Sequence, residues 1–375
     1  MSHFIGGGDA SYSVGKRSSI ALTGEEGQPP MQIIRVVVSL LLFASAVRAE
    51  PLTLRGATMG TTYHIKLVSA PEMVDVTRLH ADVEEVLAEI DRQMSTYRPD
   101  SELSRFNRAA AGEWFPVSAA TAKVVAAARE ISEKTAGALD VTVGPLVRLW
   151  HFGPPDDTAQ SERSNFEPPA DALLNAAREH VGYRKLEVRT DSPALRKKID
   201  ELDVDLSSIA PGFAIDRLAG LLADRGIDDF MVEIGGEVRA AGRRPDGAPW
   251  RVAIERPIAG RRELQTAIRL VDAAIATAGD YQKFFEYAGR RYSHIIDPAT
   301  GRPVGHSLSS VTVVADSCLA ADGWDTPLLV LGPERGYECA ERHGVAALFI
   351  SHDGGGESVR ATSAWQTRFA GDSNE

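Results

Sequence analysis

Asp322 and Thr326 stand four residues apart, a spacing that on a helix sets a carboxylate and a hydroxyl on one face. Two hard oxygen donors so placed suit Mg²⁺, which takes few protein oxygens and completes its shell with phosphates and water. An aspartate that merely caps its helix explains the same spacing without a metal. The run Asp205-Leu206-Ser207-Ser208-Ile209-Ala210-Pro211-Gly212-Phe213-Ala214-Ile215-Asp216 is rich in small residues. A glycine-containing loop that feeds a helix offers unpaired amides and the positive end of a dipole, which suits a diphosphate. A plain cap by Ser207 or Ser208 is the alternative. In Gly137-Ala138-Leu139-Asp140 the glycine lets the main chain approach a ligand, and Asp140 can accept a hydrogen bond from a ribityl or ribose hydroxyl. A helix end followed by a strand accounts for these four residues equally well. Thr58-Met59-Gly60-Thr61 and Ser95-Thr96-Tyr97 are weaker signals, read alone as a loop entering a strand and an ordinary helix end. His294, in the segment Tyr292 to Gly301, is either a base or a satisfied structural histidine.

The elements that must position these residues follow from periodicity. Thr61 to Leu67 alternates polar and apolar residues and predicts the first strand. Leu79, Val83, Val86, Leu87, Ile90 and Met94 repeat at three- and four-residue steps and mark one buried helix face ending before Pro99. A second helix is expected from Ala119 to Thr135, closed by Gly137 as a left-handed cap. Asp140 then starts a segment that ends at Pro145. Gly153 to Pro169, polar and rich in proline, reads as a loop. Beyond it a helix is expected near Asp171 to His180, strands near Lys185 to Val188 and Lys198 to Asp203, and a helix from Phe213 to Arg225. Gly235-Gly236 between Met231 and Arg239 predicts a hairpin. Further strands are expected at Trp250 to Ile254, Thr266 to Leu270 and Ser310 to Val314. This order predicts an α+β chain of mostly antiparallel or mixed sheets flanked by helices. Neither a GxGxxG turn after a strand nor a GxxxxGK[ST] loop is present, so two common nucleotide cradles are excluded.

Composition narrows the function classes. The 375 residues are 43% hydrophobic and 25% charged with a net charge of −11, which describes a soluble globular chain with no basic footprint for nucleic acid. With only Cys318 and Cys339, any metal must be held mainly by oxygen or imidazole. Residues 1–30 lack apolar periodicity and read as a disordered or mis-annotated extension. Residues 31–49 carry a short basic start, an apolar run of 12 residues and the small-residue pattern Val47-Arg48-Ala49, the layout of a signal peptide. The run is shorter than the roughly 20 residues of a spanning helix. No cysteine follows it, so the expectation is an exported, periplasmic protein, soluble or peripherally membrane-associated, without a lipid anchor.

Read in order, Met59-Gly60-Thr61, Asp205 to Asp216, Gly279-Asp280-Tyr281, His294-Ile295-Ile296-Asp297-Pro298 with Thr300-Gly301, and Ala321-Asp322 with Thr326 resemble the FAD:protein FMN transferase family, known as ApbE. The resemblance spans about Leu54 to Ile350. It implies an ApbE-like fold in two closely packed lobes over residues 50–355, followed by a tail at 356–375. It also implies an Mg²⁺-dependent enzyme that cleaves FAD, joins FMN through its phosphate to a Thr or Ser of an acceptor flavoprotein, and releases AMP. The resemblance points to an extracytoplasmic domain of a membrane redox complex as the acceptor. Carried over by position, Met59, Tyr97, Ala138, Leu139, Asp140, Asp205 and the Ile295-Ile296 backbone would contact FAD. Asp322, Thr326 and a main-chain oxygen at Ser208 would hold the metal, and His294 would assist proton transfer. Pro211 occupies a diphosphate-contacting position where many members carry Lys, and it removes both an amide and a charge. Asp325 replaces the usual Ala before the metal-binding Thr, and either tightens the metal site or faces solvent. An FAD pyrophosphatase and a non-catalytic flavin-binding protein are the competing expectations.

Overall fold

Alternation of small and branched residues builds the centre of the molecule. In the strand Ala273–Gly279, Ala274, Ala276 and Ala278 face a layer of helices, while Ala273 and Ile275 face the opposite side. The computed structural model describes residues 52–69, 71, 73–153, 166–353 and 356–370. Eight strands form one sheet in chain order: Leu52–Thr58, Thr61–Leu67, Phe230–Ile234, Glu237–Ala241, Ala273–Gly279, Leu308–Ala315, Ala346–Asp353 and Gly356–Ala361. Every neighbouring pair is antiparallel. The α+β expectation therefore holds.

One face of the sheet is covered by the helices Val76–Met94, Ala210–Asp224, Cys318–Leu331 and Pro333–His343. The other face is covered by the hairpin Trp250–Glu255 with Leu264–Leu270 and by the helix Ser363–Arg368. Between Leu67 and Phe230 the chain makes a long excursion whose described residues carry the further helices Glu102–Arg108, Ala119–Lys134, Gly144–Leu149 and Asp171–Glu179. It also holds a three-stranded sheet of Phe115–Pro116, Ala194–Lys197 and Leu186–Arg189. Excursion and sheet pack closely enough that the described residues form one compact unit.

Several expectations are corrected. Thr61 to Leu67 is the second strand, because Leu52–Thr58 precedes it through a two-residue turn. Pro145 starts the helix Gly144–Leu149 rather than ending a segment, since a first-turn proline has no amide to leave unpaired. The strand expected at Lys198 to Asp203 lies at Ala194–Lys197. Residues 356–370 are no tail: they supply the eighth strand and a helix whose Trp365 is buried in the core. Most of the loop expected at 153–169, and both segments before residue 50, lie outside the described residues. Among the described residues no helix is long and apolar enough to cross a membrane.

Candidate active site

The helix Cys318–Leu331 is apolar and buried almost all round, yet it carries Asp322 and Asp325, 4% and 2% exposed. Buried carboxylates need partners. Asp322 Oδ2 accepts from the Gly212 amide at 2.7 Å. Asp325 Oδ1 accepts from the Thr326 amide and, at 3.1 Å, from the Thr326 hydroxyl. Asp325 thus does not face solvent; it draws the Thr326 hydroxyl hydrogen toward itself and leaves that oxygen's lone pairs for another partner. Burial holds both carboxyls well above the usual carboxylate range. The neighbouring Glu237 and Asp216 charges push Asp322 further up, and Asp322 and Glu237 do the same to Asp325.

This arrangement rests on a close helix crossing. A Cβ on Gly212 would lie 2.4 Å from the Cys318 carbonyl oxygen and 2.7 Å from Asp322 Cβ, so only glycine lets the two helices meet there. Asp216, one turn further along, accepts from Arg239 at 2.6 Å and from the Cys318 and Leu319 amides at 2.9 and 3.0 Å, capping the second helix from the first. The expectation of unpaired amides at the start of this helix is overturned. Ala210 donates to the Leu206 carbonyl, Pro211 has no amide, Gly212 donates to Asp322 and Phe213 donates to the Ile209 carbonyl. Ser208 lies in the turn just before this helix, half-buried. Among the described residues no three His, Cys, Asp or Glu side chains form a metal-ligand set. A cation here would rely on one carboxylate, one hydroxyl and main-chain oxygen, a donor set that fits a hard divalent ion.

Several turns gather at the same end of the sheet. Met59 and Gly60, at φ 48° and 73°, form the tight turn between the first two strands, and Gly235-Gly236 forms the next. Glu237 follows that turn, and burial pushes its carboxyl up to about 7, with the Glu233 charge adding and the Lys283 ammonium opposing. His294 donates its backbone amide to the Lys283 carbonyl at 3.0 Å, and its Nδ1 lies 3.1 Å from the same oxygen. The Phe152 ring packs edge-on at 6.2 Å. Burial drives the imidazole down to about 4. Ile295, next in the chain, belongs to the same core cluster as Ala321 and Leu328 of the helix that carries Asp322. Ile296 belongs instead to the cluster of Trp150 and Leu146.

A second group lies in the excursion. Thr96, Asn107, Arg148, Asp203 and Asp205 line a cleft of about 280 Å³. The Asp205 amide donates to the Val141 carbonyl at 2.7 Å, so the Asp140 and Asp205 loops are one structure. Asp140 is buried and both its oxygens are engaged, one by the Thr142 amide and hydroxyl and the other by the Tyr183 amide. Its carboxylate fixes the loop, and the amides of Ala138 and Leu139 are occupied as well, donating to the Thr135 carbonyl at 3.2 Å and to the Thr135 hydroxyl at 3.3 Å. Tyr97, 61% exposed, follows the cleft residue Thr96. Sequence reasoning missed Asn107, whose amide group brackets Val204 at 2.9 Å on both sides and so holds the chain entering Asp205. It also missed Glu237, for which the only sequence signal was its place after a glycine pair. Cys318 and Cys339 are both free thiols, each separately buried.

Sheet order, helix crossing and loops together make an α+β fold shared with solved flavin transferases. The flavin transferase ApbE from Vibrio cholerae superposes with a TM-score of 0.77 at 46% identity, covering 85% of this chain and 99% of that one. The flavinyl transferase ApbE of Pseudomonas stutzeri gives 0.74 at 38% identity, over 85% and 96%. The ApbE family profile matches residues 59–349, and the chain belongs to that family. Curated relatives named FAD:protein FMN transferase include those of Vibrio cholerae, 46% identical over 88% of this chain and 96% of the relative, and of Haemophilus influenzae, 39% identical over 89% and 96%.

Proposed function

We propose that the protein is an exported, magnesium-dependent FAD:protein FMN transferase that joins FMN through a phosphoester to a Thr or Ser of an acceptor flavoprotein and releases AMP. The observation that carries this reading is the pair of buried aspartates on an apolar helix, set against Gly212 and Thr326 with too few donors to neutralise them. Asp322, Thr326 and the main-chain oxygen of Ser208 are the ligands proposed for magnesium. When bound, the ion supplies the positive field that stabilises charge building on the diphosphate. Met59, Tyr97, the Ala138 to Asp140 loop, Asp205 and the Ile295-Ile296 backbone are proposed to hold FAD. Pro211 and the occupied helix amides offer the diphosphate little, so more of its charge falls to the metal. His294 takes the proton of the acceptor hydroxyl as its oxygen bonds to phosphorus and the bond to AMP breaks. The acceptor is proposed to be an extracytoplasmic domain of a membrane redox complex, reached through the export signal at residues 31–49.

Incubation with FAD, Mg²⁺ and a candidate acceptor tests the reading through flavin fluorescence on the denatured acceptor. The expected result is Mg²⁺-dependent labelling with release of AMP, lost in Asp322→Ala at moderate Mg²⁺. Free FMN and AMP beside an unlabelled acceptor would identify a hydrolase instead, and intact FAD a flavin carrier. Full activity in Asp322→Ala would remove the metal assignment.

A further inference from the structure

We infer that the main-chain carbonyl of Lys283 fixes the tautomer of His294, so that Nδ1 carries the proton and the Nε2 lone pair is the ring's only basic site. A carbonyl oxygen has two lone pairs and no hydrogen, so it can only accept. This one lies 3.0 Å from the His294 amide and 3.1 Å from Nδ1, so each lone pair has a donor only if the ring nitrogen is protonated. Backbone and ring of the same residue thus grip one oxygen, and Phe152 packs edge-on against the ring from the segment after the helix Gly144–Leu149. The partner of a catalytic histidine is often a carboxylate, which favours the imidazolium by its charge. Here the partner is neutral, and the nearest charge on the same residue is the Lys283 ammonium, which opposes a second proton. Burial acts in the same direction. The ring therefore stays neutral and oriented.

The consequence for the reaction rests on the reading of His294 as the base. An acceptor hydroxyl must arrive as a donor to Nε2, and Lys283 acts as a positioning residue through its backbone and not its side chain. A group that binds as an acceptor only, such as an alkoxide or an ether oxygen, finds no partner on this ring.

Nitrogen-15 NMR of the histidine-labelled protein at neutral pH tests the tautomer without any turnover, with His294→Asn used to identify the signals. The expected result is one protonated, pyrrole-type Nδ1 and one unprotonated, pyridine-type Nε2, unchanged in Lys283→Met. A protonated Nε2 with a free Nδ1, or an imidazolium at neutral pH, overturns the inference. So does a switch of tautomer in Lys283→Met, which would assign the effect to the side chain. Failure of flavin transfer is a separate result: the tautomer can hold in a protein that transfers nothing.

Discussion

Glu237 shows how one side chain takes its properties from neighbours distant in the chain. It sits after a tight turn, half-buried near Asp322 and Glu233, and desolvation raises it to about 7. A carboxyl whose pKa is higher in the folded state binds its proton more tightly there. Its stabilising contribution is complete below the unfolded value, about 4.3, and is lost as pH rises through the folded one. Above that point the fold carries a half-buried charge that disfavours ionisation of Asp322. Replacing Glu237 by Gln keeps the shape and removes the titration. The melting temperature of the metal-free protein is expected to rise at about pH 8 and to change little at about pH 5, where the wild-type carboxyl is already mostly protonated. An equal shift at both pH values would show that the glutamate's charge has no such role. Thr326 makes a related point: the residue type supplied the hydroxyl, but Asp325 sets which way its hydrogen points.

At the scale of elements, the crossing of the helices Ala210–Asp224 and Cys318–Leu331 decides whether a site exists. Gly212 gives the approach, its amide anchors Asp322, and Asp216 caps the partner helix. Gly323 plays the same part on the far side, where a Cβ would come within 2.5 Å of Ile131 Cδ1. Adding one methyl at Gly212 must push the helices apart, and overpacking of this kind costs roughly 1–3 kcal/mol. We expect Gly212→Ala to lower the unfolding free energy measured in urea by that amount and to weaken flavin transfer far more than Gly220→Ala, a control at an exposed position with open space around its Cα. Equal effects of the two substitutions would show that the crossing does not set the site. The small-residue run that pointed to a ligand in the sequence is thus also the requirement of two helices in contact.

At the scale of the whole molecule, the excursion between Leu67 and Phe230 must be tied to the far end of the chain, because the sequence puts its cleft and His294 far apart. Trp150 makes that tie: buried, it donates Nε1 to the Gly301 carbonyl at 2.8 Å and stacks on Tyr292 at 5.5 Å. Trp150→Phe keeps the stacking and leaves a buried carbonyl unpaired, at a cost of about 1–3 kcal/mol. A lower urea midpoint with an unchanged slope is the expected outcome, and no change in midpoint would show that another contact joins the two regions. What the sequence determined by itself were the properties carried by short stretches: the helix and strand periods, the glycine pair of a hairpin, the oxygen donors spaced along one helix face and the ordered motifs of the family. Side-chain periodicity is local, so a window of residues contains it. Tertiary structure decided the rest. It filled the amides of Ala210, Gly212 and Phe213, turned Asp140 inward, kept Cys318 and Cys339 apart and made residues 356–370 a strand of the sheet and a helix packed on it. Each of these depends on what a distant segment covers or donates, and burial and hydrogen-bond pairing between remote segments are set only when the chain has closed on itself.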